Sequence, residues 1–158
     1  MADADVVGRV HAASWRGTYQ VLGDAFIASI DDDERVALWT RVLAEDDGVV
    51  FVAPADAPSG FIYVGASRDD DAPPHVGEVM TLYARPEAWG TGVGRALMAA
   101  GLDELRAMGF TEAVLWVLDD NPRARRFYEF AGWRVDGATK HQTWRGAELD
   151  EVRYRVTL

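Results

Sequence analysis

The run Trp89-Gly90-Thr91-Gly92-Val93-Gly94-Arg95 carries the clearest chemistry in the sequence. Alternating glycines let backbone N–H groups approach a ligand closely, and a helix starting there adds positive potential at its N-terminus. Both properties suit phosphate oxygens, and Arg95 in the first turn adds a charged contact. The dinucleotide fingerprint spaces its glycines G-x-G-x-x-G, but counting from Gly90 and Gly92 the third position is Arg95. A P-loop ends Gly-Lys-Ser/Thr, whereas this turn runs Gly94-Arg95-Ala96. Both nucleotide patterns fail. What is left is a phosphate cradle of unspecified ligand or, alternatively, a structural turn that binds nothing.

Other chemistries are poorly supplied. No cysteine is present, which removes disulfides, thiolate metal sites and a cysteine nucleophile together. His11, His75 and His141 show no metal-ligand spacing, so no metal is implied and isolated surface histidines are expected. A net charge of −10 argues against a nucleic-acid partner. That charge serves solubility in one reading and a preference for cationic acceptors such as amines in the other. No apolar run approaches the roughly 18–20 residues that cross a bilayer. The acidic start Met1-Ala2-Asp3-Ala4-Asp5 lacks the basic n-region of a secretory signal. A cytoplasmic setting without membrane contact is the expectation.

The turn has to be held by the elements around it. A helix is predicted over residues 92–108, with Val93, Leu97, Met98, Leu102 and Leu105 on its apolar side and Gly109 just past its end. Before the turn, residues 77–84 read as a strand that Pro86 interrupts; residues 113–118 form an apolar strand covered on both faces. Asn121-Pro122 then gives an N-cap and first helical residue, and that helix stops near Ala131 with Gly132 as punctuation. Upstream, helices are predicted over residues 6–19, with Val6, Val10 and Ala13, and with them Val7 and Ser14, near one face, and over residues 33–44. Strands at 48–53 and 60–66 form a hairpin, and 67–74 is a polar, acidic loop. Closing strands at 133–135 and 151–156 are joined by a long polar connection. The order predicts a mixed α/β fold in one domain, residues 1–158.

The same residues resemble the GNAT superfamily of N-acetyltransferases. Its signature Arg/Gln-x-x-Gly-x-Gly/Ala is matched from Trp89 to Gly94, with Gly92 and Gly94 in place and Trp89 where Arg or Gln is usual. Leu82-Tyr83-Ala84-Arg85-Pro86-Glu87 resembles the family's strand ending in a Pro-acid pair. The run from Asn121 to Trp133 resembles its second signature, Asn-x-x-Ala-x-x-x-Tyr-x-x-x-Gly-Phe, with Trp133 as the last aromatic. These motifs cover residues 77–136 tightly and the rest loosely. The resemblance implies a GNAT-like, mostly antiparallel twisted sheet flanked by helices, with a central strand–Gly turn–helix acyl-CoA site. It also implies an opening strand, very short or missing here because helix-like sequence begins at once.

What the resemblance implies for roles follows. The backbone of Leu82, Tyr83 and Ala84 pairs with a pantetheine arm. The amides of Gly90, Thr91, Gly92, Val93, Gly94 and Arg95, beside Trp89, bind the pyrophosphate of acetyl-CoA, the acyl donor. Asn121 hydrogen-bonds the pantetheine and Ala124 leaves room for it. Tyr128, on the same helix face as Asn121, is the candidate general acid: a phenol of pKa about 10 can donate to a departing thiolate whose conjugate acid lies near 8.5. Phe127 and Phe130 are the core candidates of that helix. Glu78 is the candidate base, although an ordinary glutamate near pKa 4.3 needs burial or a water relay to act on an amine. Trp15 and Tyr19 resemble a Ser-Trp-Arg-x-x-Tyr segment of family members and are candidates for the acceptor cleft or for core packing. The implied activity is acetyl transfer to a small-molecule amine or a peptide or protein amine. Transfer of a larger acyl group and a non-catalytic acyl-CoA sensor are the alternatives. The oligomeric state stays open, a homodimer being compatible by analogy.

Overall fold

The computed structural model describes residues 3–45, 47–144 and 146–158. Met1 and Ala2 of the acidic start, Asp46, and Arg145 of the expected polar connection lie outside the described residues. Asp3 caps α1 (Ala4–Thr18), its carboxylate accepting from the Asp5 N–H at 2.9 Å. The helix buries Val7, Val10 and Ser14 of the expected stripe, together with His11, while Val6 and Ala13 are half-buried. Gly8 lies where α3 (Asp32–Glu45) crosses, and a Cβ there would come within 2.6 Å of the Val36 nitrogen. A 3-10 turn at Gln20–Leu22 and the short α2 (Asp24–Ala28) join the two helices. Elements of that length carry too little periodicity to be read from sequence.

Six strands follow: β1 (Gly48–Ala53), β2 (Gly60–Ala66), β3 (Val76–Ala84), β4 (Glu112–Leu118), β5 (Arg134–Trp144) and β6 (Ala147–Thr157). They form one sheet in the order β1-β2-β3-β4-β6-β5, in which β3 and β4 are parallel and the other neighbours antiparallel. The parallel pair requires a crossover, and α4 (Val93–Ala107) supplies it. α4 and α5 (Pro122–Phe130) cover one face around Ile62, Val64, Leu97, Leu105, Leu115 and Trp133. On the other face α1 and α3 pack Val7, Val10 and Trp39 against Phe61 and Tyr63. Among the described residues, no helix is long and apolar enough to cross a membrane.

Three expectations are corrected. The polar connection between the closing strands is itself mostly strand, because β5 and β6 form a long hairpin paired from Thr139↔Val152 to Trp144↔Ala147. β5 is an edge strand with nearly every residue exposed, so no apolar alternation marks it. Phe130 is 91% exposed, not a core residue. At 100° per residue it points away from the face that buries Tyr128 and half-buries Phe127. His11 is not on the surface. It is buried, its Nδ1 accepts from Trp39 Nε1 at 2.9 Å, and its ring stacks on Tyr83 at 4.8 Å.

Candidate active site

β3 and β4 hold together for three residue pairs, Val76–Glu112, Gly77–Ala113 and Glu78–Val114, and then part. The cause is visible in β3, where Met80 is an extra residue between the pairs Val79–Val64 and Thr81–Tyr63 on β2. Such a bulge bends its strand and increases its twist. β3 therefore follows β2 while β4 follows β6, and the edge of β3 beyond Glu78 faces a gap instead of a neighbouring strand. A cavity of about 950 Å³ fills this gap; its lining includes Leu82, Tyr83, Ala84, Trp89, Asn121, Ala124 and Tyr128.

The glycine turn closes one end. Gly90 and Gly92 sit at φ +78° and +96°, and Gly92 is the left-handed N-cap of α4 with no side-chain cap bond. The first-turn amides of α4 are consequently left for another acceptor. Gly90, Gly92, Val93, Gly94 and Arg95 all line the cavity, while Thr91 turns back with its hydroxyl donating to the Ala88 carbonyl at 2.7 Å. Trp89, at the family's Arg/Gln position, has a structural task. Its Nε1 donates to the Ala84 carbonyl at 2.9 Å, and the Arg123 guanidinium lies 3.4 Å from its ring centroid. Arg123 also donates to Thr18 Oγ1 at 3.3 Å, so one clasp links the turn, α5 and the end of α1.

At the opposite wall, Asn121 Oδ1 accepts from the Ala124 N–H at 3.1 Å, which starts α5 and faces Tyr128 inward. Tyr128 is 8% exposed. Burial raises its pKa, the nearby Tyr83 phenol adds to this and Arg123 opposes it, so the hydroxyl remains a protonated donor at neutral pH. Tyr19 and Tyr83 also line the cavity, and burial likewise holds both phenols neutral. Trp15 does not line it. It packs edge-on to His11, Tyr19 and Trp144 in the cluster that docks the tip of the β5–β6 hairpin on α1 and α2.

Glu78 stands where the strands begin to separate. It is 9% exposed and accepts from the Arg68 N–H at 2.8 Å; burial raises its pKa despite that bond, with Asp69 adding repulsion. The acidic loop that holds it is pinned by Arg153, which pairs with Asp69 and Asp71 at 2.9 Å each and with Asp136 at 2.8 Å. Trp116 Nε1 donates to Asp69 at 3.0 Å. Side chains alternate along strands, so the pairs Glu78–Val114, Arg153–Trp116 and Glu151–Leu118 set Glu78, Trp116 and Glu151 on one face, opposite the α4–α5 core. Glu151, Arg123, Lys140 and Gln142 were not singled out from the sequence, yet all four line the cavity. Arg123 lies inside the second signature and was open to notice there. The other three come from a hairpin whose register no local pattern reveals.

A parted parallel strand pair, a bare helix N-terminus at a glycine turn and a buried phenol facing the gap form one open cleft in a mixed α/β sheet. The acetyltransferase (GNAT) family matches residues 15–133, and the chain belongs to it. It is 36% identical over 107 residues to a mycothiol acetyltransferase of Frankia alni, covering 63% of this chain and 32% of that protein. The chain thus spans about a third of that relative's length. Similarity to the uncharacterized N-acetyltransferase YuaI of Bacillus subtilis runs to 29% identity over 155 residues, 96% of this chain and 86% of the relative. Among solved structures, the PaiA N-acetyltransferase of Thermoplasma acidophilum in complex with coenzyme A superposes with a TM-score of 0.71 at 20% identity, over 99% and 93% of the two chains. A ribosomal-protein-alanine N-acetyltransferase of Brucella melitensis does so at 0.73 and 21%, over 100% and 97%. These structural likenesses establish the shared fold.

Proposed function

We propose that the protein transfers an acetyl group from acetyl-CoA to a primary amine by direct attack, with no covalent enzyme intermediate. The observation that carries this reading is the parting of β3 from β4 beyond Glu78, with Tyr128 buried in the opening. The free edge of Leu82, Tyr83 and Ala84 offers strand-like hydrogen bonds to an extended pantetheine arm. The uncapped amides from Gly92 to Arg95, together with the helix dipole, suit the pyrophosphate. Asn121 and Ala124 border the arm's path, and about 950 Å³ is room for it.

In the chemical step the amine nitrogen bonds to the thioester carbonyl carbon and the C–S bond breaks. Backbone N–H groups near Leu82 to Ala84 polarise that carbonyl, and the Tyr128 hydroxyl donates to the leaving thiolate. Glu78 receives the amine's proton, directly or through water. Its raised pKa brings it nearer the strength this needs than an ordinary glutamate. Tyr19, on the α1 side of the opening, borders the acceptor's path, with Trp15 packed behind it.

The test is thiol release from acetyl-CoA against a panel of primary amines: 2-phenylethylamine, tyramine, 1,4-diaminobutane and an alanine tripeptide amide. Release that depends on the amine and yields the N-acetyl product supports the proposal. Tight binding of acetyl-CoA without release for any amine would convert the reading to that of a sensor. Replacing acetyl-CoA by propionyl- and succinyl-CoA in the same assay fixes the acyl chain.

A further inference from the structure

The sequence contains one lysine beside fifteen arginines, and that lysine, Lys140, lines the cavity that holds Tyr128 and Glu78. A guanidinium stays protonated and is no nucleophile, so Lys140 carries the sequence's single side-chain amine able to attack a thioester. Its place is set by the hairpin. On β5 it pairs with Glu151 of β6, on the face shared by Trp116 and Glu78. Its Nζ lies 4.2 Å from the centroid of the Trp116 ring and 3.6 Å from Glu151 Oε2. Glu151 is fixed in turn by Gln142 Nε2, which donates to the same oxygen at 2.9 Å. Burial raises the Glu78 pKa, and the Lys140 charge is among the weaker influences that oppose it. An aromatic face beside a carboxylate is the environment an incoming alkyl ammonium needs. The protein's own ammonium occupies it.

We propose that Lys140 is a site of self-acetylation, with its ε-amine standing in the acceptor's place when no other amine is bound. This rests on the reading of the protein as an acetyl-CoA-dependent N-acetyltransferase. The Lys140 side chain is 43% exposed, so it is free to swing from Glu151 into the opening between β3 and β4. The ammonium first gives up a proton to solvent through Glu78. The freed nitrogen bonds to the acetyl carbonyl carbon, the C–S bond breaks, and its electron pair leaves on the CoA sulfur, which takes a proton from Tyr128. The nitrogen's second proton passes to Glu78 and on to solvent, from which Tyr128 is reprotonated. The balance is one ammonium and one thioester giving one amide, one thiol and one proton. The product is neutral, removes the cation from the Trp116 face and leaves Glu151 without its ammonium partner.

The experiment needs no identified acceptor. Wild-type protein is incubated with carbon-13-labelled acetyl-CoA alone, followed by intact mass and peptide mapping, alongside Lys140→Arg and Tyr128→Phe. The expected result is a single acetyl addition mapped to Lys140, at a rate independent of protein concentration. It is absent in Lys140→Arg and slowed at least tenfold in Tyr128→Phe. An unmodified Lys140 in a protein that acetylates any amine of the panel overturns the self-acetylation alone. So does addition confined to the α-amine, a Lys140 rate proportional to protein concentration, or one unaffected by Tyr128→Phe. Failure to bind acetyl-CoA in calorimetry overturns the functional reading and this inference together.

Discussion

The two halves of the cleft are built by different means. The half proposed to hold the donor consists of backbone: a bulged strand edge, two glycines in left-handed conformation and the amides of one helix turn. The half proposed to take the acceptor consists of side chains from distant segments. Tyr19 ends α1, Glu78 starts the opening, Trp116 belongs to β4, and Lys140 and Glu151 face each other across the hairpin. A ligand common to many enzymes can be held by groups that every residue has, so the donor half depends on conformation. An acceptor must be distinguished from others, and that takes side chains. The donor half accordingly leaves a local imprint in sequence, and the acceptor half does not.

Tyr128 belongs to both halves, and its loss should have the largest effect. Tyr128→Phe is expected to lower kcat by about 10²- to 10⁴-fold with little change in acetyl-CoA affinity, measured by steady-state thiol release and calorimetry. A loss under threefold would remove it from the chemistry. The donor half alone is broken by Gly92→Val, which forces a β-branched residue to φ +96°. Strain of about 1–3 kcal/mol should weaken acetyl-CoA binding roughly ten- to a hundredfold. An unchanged Kd would mean that the turn is not where the pyrophosphate binds.

Both halves rest on His11, stacked beneath Tyr83 of the strand edge and edge-on to Trp15. Burial and the nearby Arg35 lower its pKa from 6.5 to about 3, so the unfolded chain takes the proton first as pH falls. This contribution to stability is complete above pH 6.5 and is lost progressively toward pH 3, by about 2 kcal/mol already at pH 5. His11→Gln, which keeps an acceptor for Trp39, should abolish that difference in urea unfolding run across pH 5–8. Parallel curves for the two proteins would contradict the assignment. The smallest effect belongs to His141, exposed between Asp150 and Glu148 at 2.7 Å each, which raise its pKa. A raised pKa stabilises below the unfolded value and is lost as pH rises through the folded one. His141→Gln should therefore lower Tm slightly below pH 6.5 and not above pH 8, and salt should erase the difference.

Sequence legibility follows the same division. The glycine turn, the Asn121 cap and the inward Tyr128 were readable because each depends on residues within one turn or one helix. The strand edge was readable because Gly77 to Ala84 precedes the turn directly. The exposure of Phe130 is hidden because an apolar type does not set an inward direction, and the burial of His11 because a lone histidine gives no sign of the ring stacked on it. The extent of β5 beyond Val135 is hidden for a reason of its own. An exposed edge strand is polar on both sides, so its only evidence is pairing with β6, which sequence spacing does not show.

The hairpin gives the acceptor half a parity rule. Side chains on paired strands change face at every residue, so insertions that add one residue to each arm at its tip preserve the register of Lys140 with Glu151. A single residue inserted in β5 between Val135 and Lys140 would turn Lys140 and Gln142 outward and carry His141 into the cleft. One strand can thus exchange the cleft's wall wholesale while the glycine turn, on the far side of the sheet's gap, keeps its shape. Under the proposed function, diversification of such a domain toward new amines has a short route through the length of one strand arm.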